Sequence, residues 1–263
     1  MSKLLSLMYH SIYMTDDEYR DISIEDRPYA LSCHEFERHL QWLVGSDFNV
    51  IDPNNKLLDL SDRMLNVLIT FDDGHIGFYM YAYPLLLKYG FSAIFFITTD
   101  FIGDRKEFCS WDQLNEMSLN NMLIQSHGKT HKFISDLDDN ETRNEFKVSK
   151  ELIERNTGSS VWSISFPGGR YTSNSIQIGC EENYTHFFTS DENIQNLSVN
   201  LNSKIGRFAI KNSTTVTDIK NFIDPPLSIF IKHKAISFIK VVLKRTLGNN
   251  GYHKLYKALN KSG

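Results

Sequence analysis

Cysteine is scarce in this chain, and the few cysteines that occur lie far apart. The 263 residues include three, Cys33, Cys109 and Cys180. An odd number at wide spacing argues against a framework of disulfide bonds and against a zinc site built from cysteine thiolates. The scarcity of cysteine therefore favours a reducing compartment.

The sequence also lacks an excess of basic residues. It contains 28 Lys and Arg against 32 Asp and Glu, which gives a net charge of -4 and a pI of about 6.1. A protein that binds nucleic acid through its overall charge is therefore not expected. The sequence has no internal repeat and no low-complexity segment, so a repeat architecture is not expected either.

Long apolar runs are missing too, since no stretch reaches the roughly 18 residues that a membrane-spanning helix needs. The N-terminal segment MSKLLSLMYHSI is a short apolar run interrupted by Ser6 and His10. It lacks the long apolar region and the small-residue cleavage site of a signal peptide. We interpret it as a first strand and expect a cytoplasmic protein, with the inner face of the membrane included. A removed upstream segment stays compatible with this interpretation.

What the chain does contain is an alternation of apolar runs and amphipathic stretches. With 41% apolar residues, its length suits one sizeable core and a single α/β domain. Several runs are continuously apolar, which is typical of strands covered on both faces. The alternation predicts a parallel sheet, most simply a barrel. Strands are predicted at residues 4–9, 66–71, 92–98, 122–126, 162–166, 185–189 and 205–210, and helices at 33–44, 79–89 and 141–156.

The C-terminal tail departs from this pattern. We therefore divide the chain into a main domain at residues 1–211 and a tail, predicted to be helical, at 212–263. After Pro225-Pro226, residues 231–245 place apolar side chains on one helical face and His233, Lys240 and Lys244 on another. Such a basic amphipathic helix can contact an anionic membrane surface, or it can pack its apolar face on the main domain.

The strongest local signal is an apolar strand that ends in Asp72-Asp73-Gly74. Adjacent carboxylates repel each other, so this arrangement favours a bound cation or separate roles for the two acids. Gly74 allows a sharp turn of the backbone. A surface turn remains the alternative, because Asp-Gly pairs are common in turns.

A second signal, also directly after an apolar strand, is the pair His127 and His131. Two histidines four residues apart can converge on one ion if the segment turns as a helix does. Together with Asp73 they would form a site of two histidines and one carboxylate, with open positions for water and substrate. Such a set suits Zn²⁺, Fe²⁺ or Co²⁺.

Three weaker signals accompany these two. Residues 165–171 (SFPGGRY) follow another strand, where free backbone N–H groups could contact a ligand, although a strand-to-helix turn is the preferred explanation of this segment taken alone. His10 ends the first strand, and Arg207 lies within the last predicted strand. All five features fall at or near the carboxyl ends of predicted parallel strands, where barrel enzymes build their active sites.

These motifs resemble those of the polysaccharide deacetylases of carbohydrate esterase family 4, the NodB homology domain, over about residues 5–210. The resemblance implies a distorted (β/α)7-type barrel, with Asp72 as catalytic base and Asp73, His127 and His131 as metal ligands. Leu7-Met-Tyr-His10 is similar to the N-terminal motif of the circularly permuted branch, which includes poly-N-acetylglucosamine deacetylases, and implies that His10 is the general acid. Residues implied to contact substrate and the oxyanion are Pro167, Gly168, Gly169 and Tyr171.

The sequence departs from the family pattern at two positions. Gly128 stands where the family usually has Ser or Thr, and the lost hydroxyl predicts a looser support for the metal ligands. Arg170 follows Gly169 and predicts an altered substrate preference. Neither change removes a ligand or the base, and we further expect Arg207 to pair with Asp72 and keep it ionised.

The sequence therefore predicts a metal-dependent hydrolase that removes N-acetyl groups from amino sugars of a polysaccharide or of a lipid-linked glycan precursor. One divalent ion is expected, zinc first, with cobalt, nickel or iron as alternatives. A metal-dependent amidase with a non-sugar substrate is a second hypothesis. A third is a carbohydrate-binding protein on a decayed esterase fold, which the intact set of site residues disfavours. Oligomeric state and exact sugar stay open.

Overall fold

The computed structural model describes residues 2–55, 61, 64–103, 105–197 and 203–224. Contacts divide the chain into one compact unit of residues 1–216 and a second of residues 217–263. The predicted boundary after residue 211 stays a prediction. The strands are β1 Ser2–Tyr9, β2 Ile12–Tyr13, β3 Leu31–Ser32, β4 Asn49–Val50, β5 Leu65–Asp73, β6 Ile94–Ile97, β7 Leu123–Ser126, β8 Ser163–Ser165, β9 His186–Phe188, β10 Gln195–Leu197, β11 Ser203–Ile205 and β12 Phe208–Ala209.

The helices follow the strands in the expected alternation, and several begin at a side-chain cap. Ser32, Ser110, Asp138 and Thr172 each accept a hydrogen bond from the backbone N–H three residues later, which satisfies a donor that the helix start leaves free. A π-helical turn, Phe78–Ala82, leads into the third helix. The helices are α1 Asp16–Asp21, α2 Cys33–Val44, α3 Tyr83–Tyr89, α4 Trp111–Leu119, α5 Asp139–Thr157, α6 Ser173–Glu181 and α7 Val216–Ile223.

The main sheet is a barrel of parallel strands in the order β1-β5-β6-β7-β8-β9-β11. β12 then pairs in parallel with β1, with Leu7 opposite Phe208 and Met8 opposite Ala209. This pairing returns to the first strand and closes the sheet into a barrel. Counting β11 and β12 as one position, seven parallel strands form the wall within the described residues. The predicted distorted barrel is therefore confirmed.

The barrel interior is an apolar cluster formed by alternate residues of the strands. On β5, Leu68 belongs to this cluster, and Thr70 and Asp72 follow it on the same face because side chains of a strand alternate. Asp72 is therefore directed into the barrel at the carboxyl end of its strand. The other members of the cluster are Leu4, Ile51, Ile94, Phe96, Leu123, Trp162, Phe188 and Ile205.

Six of the seven predicted strands and all three predicted helices are present. Their ends differ from the predicted ones by at most two residues, except that the helix predicted from residue 79 begins at Tyr83, after the π-helical turn. The prediction of one strand at 205–210 is wrong, because the chain leaves β9 after Ile205 and joins β1 only at Phe208. Between these two strands, Gly206 packs against the backbone of Asp191, and a Cβ added at residue 206 would lie 2.2 Å from the Asp191 carbonyl oxygen. Arg207 therefore lies between two strands and not within one.

Two findings concern the membrane and the tail. In the part of the chain that the structure describes, no helix has the length and apolar character needed to cross a membrane. The predicted amphipathic helix at 231–245 lies outside the described residues, so both of its proposed contacts stay predictions.

Candidate active site

Asp73, His127 and His131 converge at the carboxyl ends of β5 and β7. These two strands flank β6, with Asp73 opposite Ile97 and Ile97 opposite Ser126. Asp73 Oδ1 lies 3.3 Å from His127 Nε2 and 3.2 Å from His131 Nε2. The three ligand atoms lie within 4.8 Å of one another. The structure thus brings together the three residues predicted as metal ligands.

The hydrogen bonds around this cluster fit a divalent cation. His127 Nδ1 lies 2.8 Å from the carbonyl oxygen of Ser165, which only accepts, so Nδ1 carries a proton and Nε2 is the ring nitrogen that faces Asp73. Asp73 Oδ1 is buried and has no hydrogen-bond partner within the described part of the chain. Two ligand atoms bound to the same tetrahedral metal ion lie about 3.4 Å apart when each metal–ligand bond is about 2.1 Å long. The observed separations match this spacing.

Two of the three ligands have a strained backbone. The φ angle is 87° at Asp73 and 64° at His131, in the left-handed region that residues with a Cβ rarely adopt. Each such residue costs about 1–3 kcal/mol, and such strain persists only where the surrounding structure enforces it. Strain at two residues that share one cluster is typical of a functional site.

Asp72 and Arg207 form a buried ion pair beside this cluster. Arg207 Nη1 and Nη2 donate to the two carboxylate oxygens of Asp72, at 2.6 and 2.7 Å. The remaining N–H groups donate to Thr70 Oγ1, Ser165 Oγ and the carbonyl oxygen of Thr189. All five N–H donors of the guanidinium are thus used, which suits a side chain with no solvent exposure.

This pairing decides the charge of Asp72. Burial alone would raise the pKa of Asp72, but the charge of Arg207, helped by that of His127 and by the hydrogen bonds, lowers the pKa below its ordinary value. Asp72 is therefore an ionised carboxylate at neutral pH. Its Oδ2 lies 3.9 Å from His127 Nε2, so the carboxylate adjoins the metal-ligand cluster.

His10 lies at the same end of the barrel. It follows the last residue of β1, where Tyr9 is opposite Phe71 of β5. Its ring centroid lies 5.0 Å from that of Tyr29, and its Nδ1 is buried without a hydrogen-bond partner among the described residues. Burial lowers the pKa of His10, and the nearby charges of Asp73 and Asp72 oppose this effect.

The segment after β8 forms a tight 3₁₀ turn, Pro167–Gly169. The Gly169 N–H donates to the carbonyl oxygen of Phe166 at 2.8 Å, so it is not free to bind an oxyanion. Tyr171 is half-buried and stacks on Phe166 with ring centroids 4.9 Å apart. The Tyr171 N–H has no acceptor among the described residues, which makes it an available donor of this segment.

Sequence reasoning missed three residues that support the site. Ser165 contacts Asp72, Arg207 and His127, and Thr70 accepts from Arg207 while donating to the Leu7 carbonyl at 2.8 Å. Strand alternation could have identified Thr70, since it shares the face of Asp72. The third, Glu145 of α5, holds the segment that carries His131, and no pattern in the sequence distinguishes it from the helix's other acids.

The model of the polysaccharide deacetylase family matches residues 62–187. This range contains the metal-ligand cluster, Asp72 and the segment after β8, whereas His10 and Arg207 lie outside it. This match covers 126 of the 263 residues, and over that range the chain is similar to the polysaccharide deacetylase family.

Similar proteins extend the match beyond that range. YxkH of Bacillus subtilis (strain 168), whose name assigns it provisionally to the polysaccharide deacetylases, is 30% identical over 194 residues, 72% of this chain and 65% of that protein. A poly-β-1,6-N-acetyl-D-glucosamine N-deacetylase of Staphylococcus epidermidis is 24% identical to this chain. The match covers 83% of this chain and 82% of the length of that protein. The chain thus spans less than the full length of both relatives.

Among solved structures, the deacetylase PplD of Streptococcus pyogenes in complex with acetate is similar, with a TM-score of 0.73 and 25% identity over 85% of this chain and 99% of that one. The structure of IcaB from Ammonifex degensii has a TM-score of 0.66 and 22% identity over 85% of this chain and 97% of that one. At that identity, the second likeness supports the fold alone.

Proposed function

We propose that this chain is a metal-dependent hydrolase that removes N-acetyl groups from the amino sugars of a polysaccharide or glycan precursor. The observation that carries the proposal is the convergence of Asp73, His127 and His131 beside the ionised Asp72. Support comes from the names of the relatives, one an N-deacetylase of a poly-N-acetylglucosamine and another a deacetylase with bound acetate.

Asp73, His127 and His131 would hold a divalent ion, zinc first. Such an ion polarises a carbonyl and lowers the pKa of bound water towards about 7. Asp72 accepts the proton of the attacking water, and Arg207 keeps the carboxylate ionised for that task. The Tyr171 N–H donates to the oxyanion that develops on the acetyl group. The carboxylate of Asp72 is held in place, because Arg207 donates to both of its oxygens and Ser165 Oγ donates to Oδ2.

His10 donates a proton to the departing amine. An amine leaves a tetrahedral intermediate only once it is protonated, and Asp72 is already assigned to the proton of the attacking water. Burial lowers the pKa of His10. The protonated ring is therefore a stronger acid than an exposed histidine, but less of it is protonated at neutral pH in the free protein. Its Nδ1 is a buried polar atom with no partner among the residues that the structure describes, and substrate would supply that partner.

The test is acetate release from a panel of N-acetylated glycans, with and without a chelator, using Asp72→Asn as the control variant. Release from N-acetylglucosamine oligomers that stops with chelator and returns with zinc supports the proposal. Release from non-sugar amides alone supports the amidase alternative. Glycan binding without release by the zinc-loaded protein supports the decayed binding protein, and either of these two results overturns the proposal.

A further inference from the structure

The segment that joins β7 to His131 has to hold a strained conformation. Gly128 has a φ of 80° and His131 a φ of 64°, with Lys129 and Thr130 between them. His131 is also the most exposed of the three predicted ligands, with 36% of its side chain accessible against 3% for His127. Packing alone therefore holds His131 less firmly than His127, and its position depends on how the segment 128–131 is anchored.

The anchor on one side is a buried carboxylate. Glu145 of α5 is 4% exposed. Its Oε2 accepts from the backbone N–H groups of Lys129 at 2.7 Å and Thr130 at 2.9 Å, and its Oε1 accepts from Thr130 Oγ1 at 2.6 Å. Among the described residues no basic side chain forms an ion pair with Glu145, so these three donors replace the water that burial removed.

The opposite side of the segment is bound by backbone groups. The N–H groups of Thr99 and Asp100 donate to the carbonyl oxygens of Gly128 and Lys129, at 3.3 and 2.9 Å. Gly128 itself leaves room for the carboxylate, since an added Cβ would lie 3.1 Å from Glu145 Oε2. The carboxylate thus occupies the space beside residue 128 and supports the segment at the position where the sequence predicted a looser support.

We infer that Glu145 is a positioning residue of the metal site, which fixes the direction of His131 through residues 129 and 130. The inference rests on the proposed function, because it assumes that Asp73, His127 and His131 bind a divalent ion. Groups that orient metal ligands typically contribute 10–100-fold to metal affinity. Glu145 does not contact the His131 ring but holds the backbone of residues 129 and 130, from which His131 extends.

The test compares Zn²⁺ affinity among four proteins, measured by competition with a chromophoric chelator. Glu145→Ala removes all three hydrogen bonds and should bind Zn²⁺ about 10-fold to 100-fold more weakly than the wild type. Glu145→Gln keeps an oxygen for the two N–H groups and an amide for Thr130 Oγ1, so it should lose less than about 5-fold. The matched control is Glu151→Gln, an exposed glutamate of the same helix, which should bind like the wild type.

Two further measurements separate positioning from folding. The Co²⁺-loaded Glu145→Ala variant should show a changed visible absorption spectrum, because the geometry around the ion changes, whereas Glu151→Gln should not. The melting temperature of the metal-free proteins reports stability alone. If Glu145→Ala lowers that temperature but binds Zn²⁺ within twofold of the wild type, the residue is merely structural and the inference is overturned.

A second variant covers the case in which Glu145→Ala does not fold. Thr130→Val removes the 2.6 Å bond alone and should weaken Zn²⁺ binding by a smaller factor, about 2-fold to 10-fold, since one of three bonds is lost. Unchanged affinity in this variant and in Glu145→Gln, with Glu145→Ala unfolded, also overturns the inference. A wild-type protein that binds no Zn²⁺ overturns the proposed function itself, so the two failures are distinguishable.

Discussion

Replacing Arg207 by methionine removes the buried charge that faces Asp72 and keeps a side chain of comparable length. Asp72 would remain 2% exposed with Ser165 as its hydrogen-bond partner among the described residues. Removing one partner of a buried ion pair lowers the free energy of unfolding by about 3–5 kcal/mol. Because folded domains are stable by only about 5–15 kcal/mol, Arg207→Met should lose a large share of the stability.

The assay is urea denaturation of the metal-free protein at neutral pH. The matched control is Arg143→Met, which removes an arginine that also pairs with two carboxylates, Glu181 and Glu182, but whose side chain is 42% exposed. Exposed pairs of this kind contribute about 1 kcal/mol or less. The comparison therefore isolates the effect of burial from the effect of losing an arginine.

A double-mutant cycle tests whether Asp72 is the cause. Adding Asp72→Asn to Arg207→Met removes the uncompensated charge, so the double variant should be more stable than the sum of the two single losses by about 1–3 kcal/mol. Arg207→Lys, which keeps the charge but supplies three donors in place of five, should lie between wild type and Arg207→Met. The reasoning is refuted if Arg207→Met costs no more than Arg143→Met, or if the cycle gives no coupling.

Two further predictions follow from the proposed function, and a third concerns the C-terminal tail. Elemental analysis should find about one divalent ion per chain, lost in Asp73→Ala and His127→Ala with the fold retained; an active protein free of metal contradicts this. His10→Ala should keep KM and metal content but lower kcat about 10²-fold or more, the usual scale for a lost general acid; near wild-type kcat excludes that role. For the tail, the membrane alternative predicts that deleting the chain from Asp224 onward abolishes binding to anionic liposomes, whereas unchanged co-sedimentation excludes that alternative and favours packing on the main domain.

The strands and the metal ligands were predictable from the sequence for one physical reason. Parallel strands covered on both faces are continuous apolar runs, so residues 66–71 and 122–126 are visible as strands without any structure. The carboxyl ends of such strands meet at one end of a barrel, which is why Asp73 and the two histidines could be placed together from sequence order alone.

The supporting residues could not be predicted in the same way, because their role depends on contacts between distant segments. The pairing of Arg207 with Asp72 was expected, but the break of its strand at Gly206 was not, because that break depends on the backbone of Asp191. Glu145 lies on a helix rich in acidic and basic residues. Only the packing of α5 against the end of β7 distinguishes it from the exposed glutamates on the same helix.

Ser165 explains why the base and the metal ligands form one site and not two neighbouring ones. Its hydroxyl donates to Asp72 Oδ2 at 2.9 Å and accepts from Arg207 at 2.6 Å, whereas its carbonyl oxygen accepts from His127 Nδ1 at 2.8 Å. The carboxylate of Asp72 and the ring of His127 are thus oriented by the side chain and the backbone of the same residue of β8. A shift of β8 along the sheet would move both groups together, so their relative geometry depends on the register of one strand. Because a register shift of one residue would turn the Ser165 side chain to the opposite face, the site and the barrel require the same strand pairing.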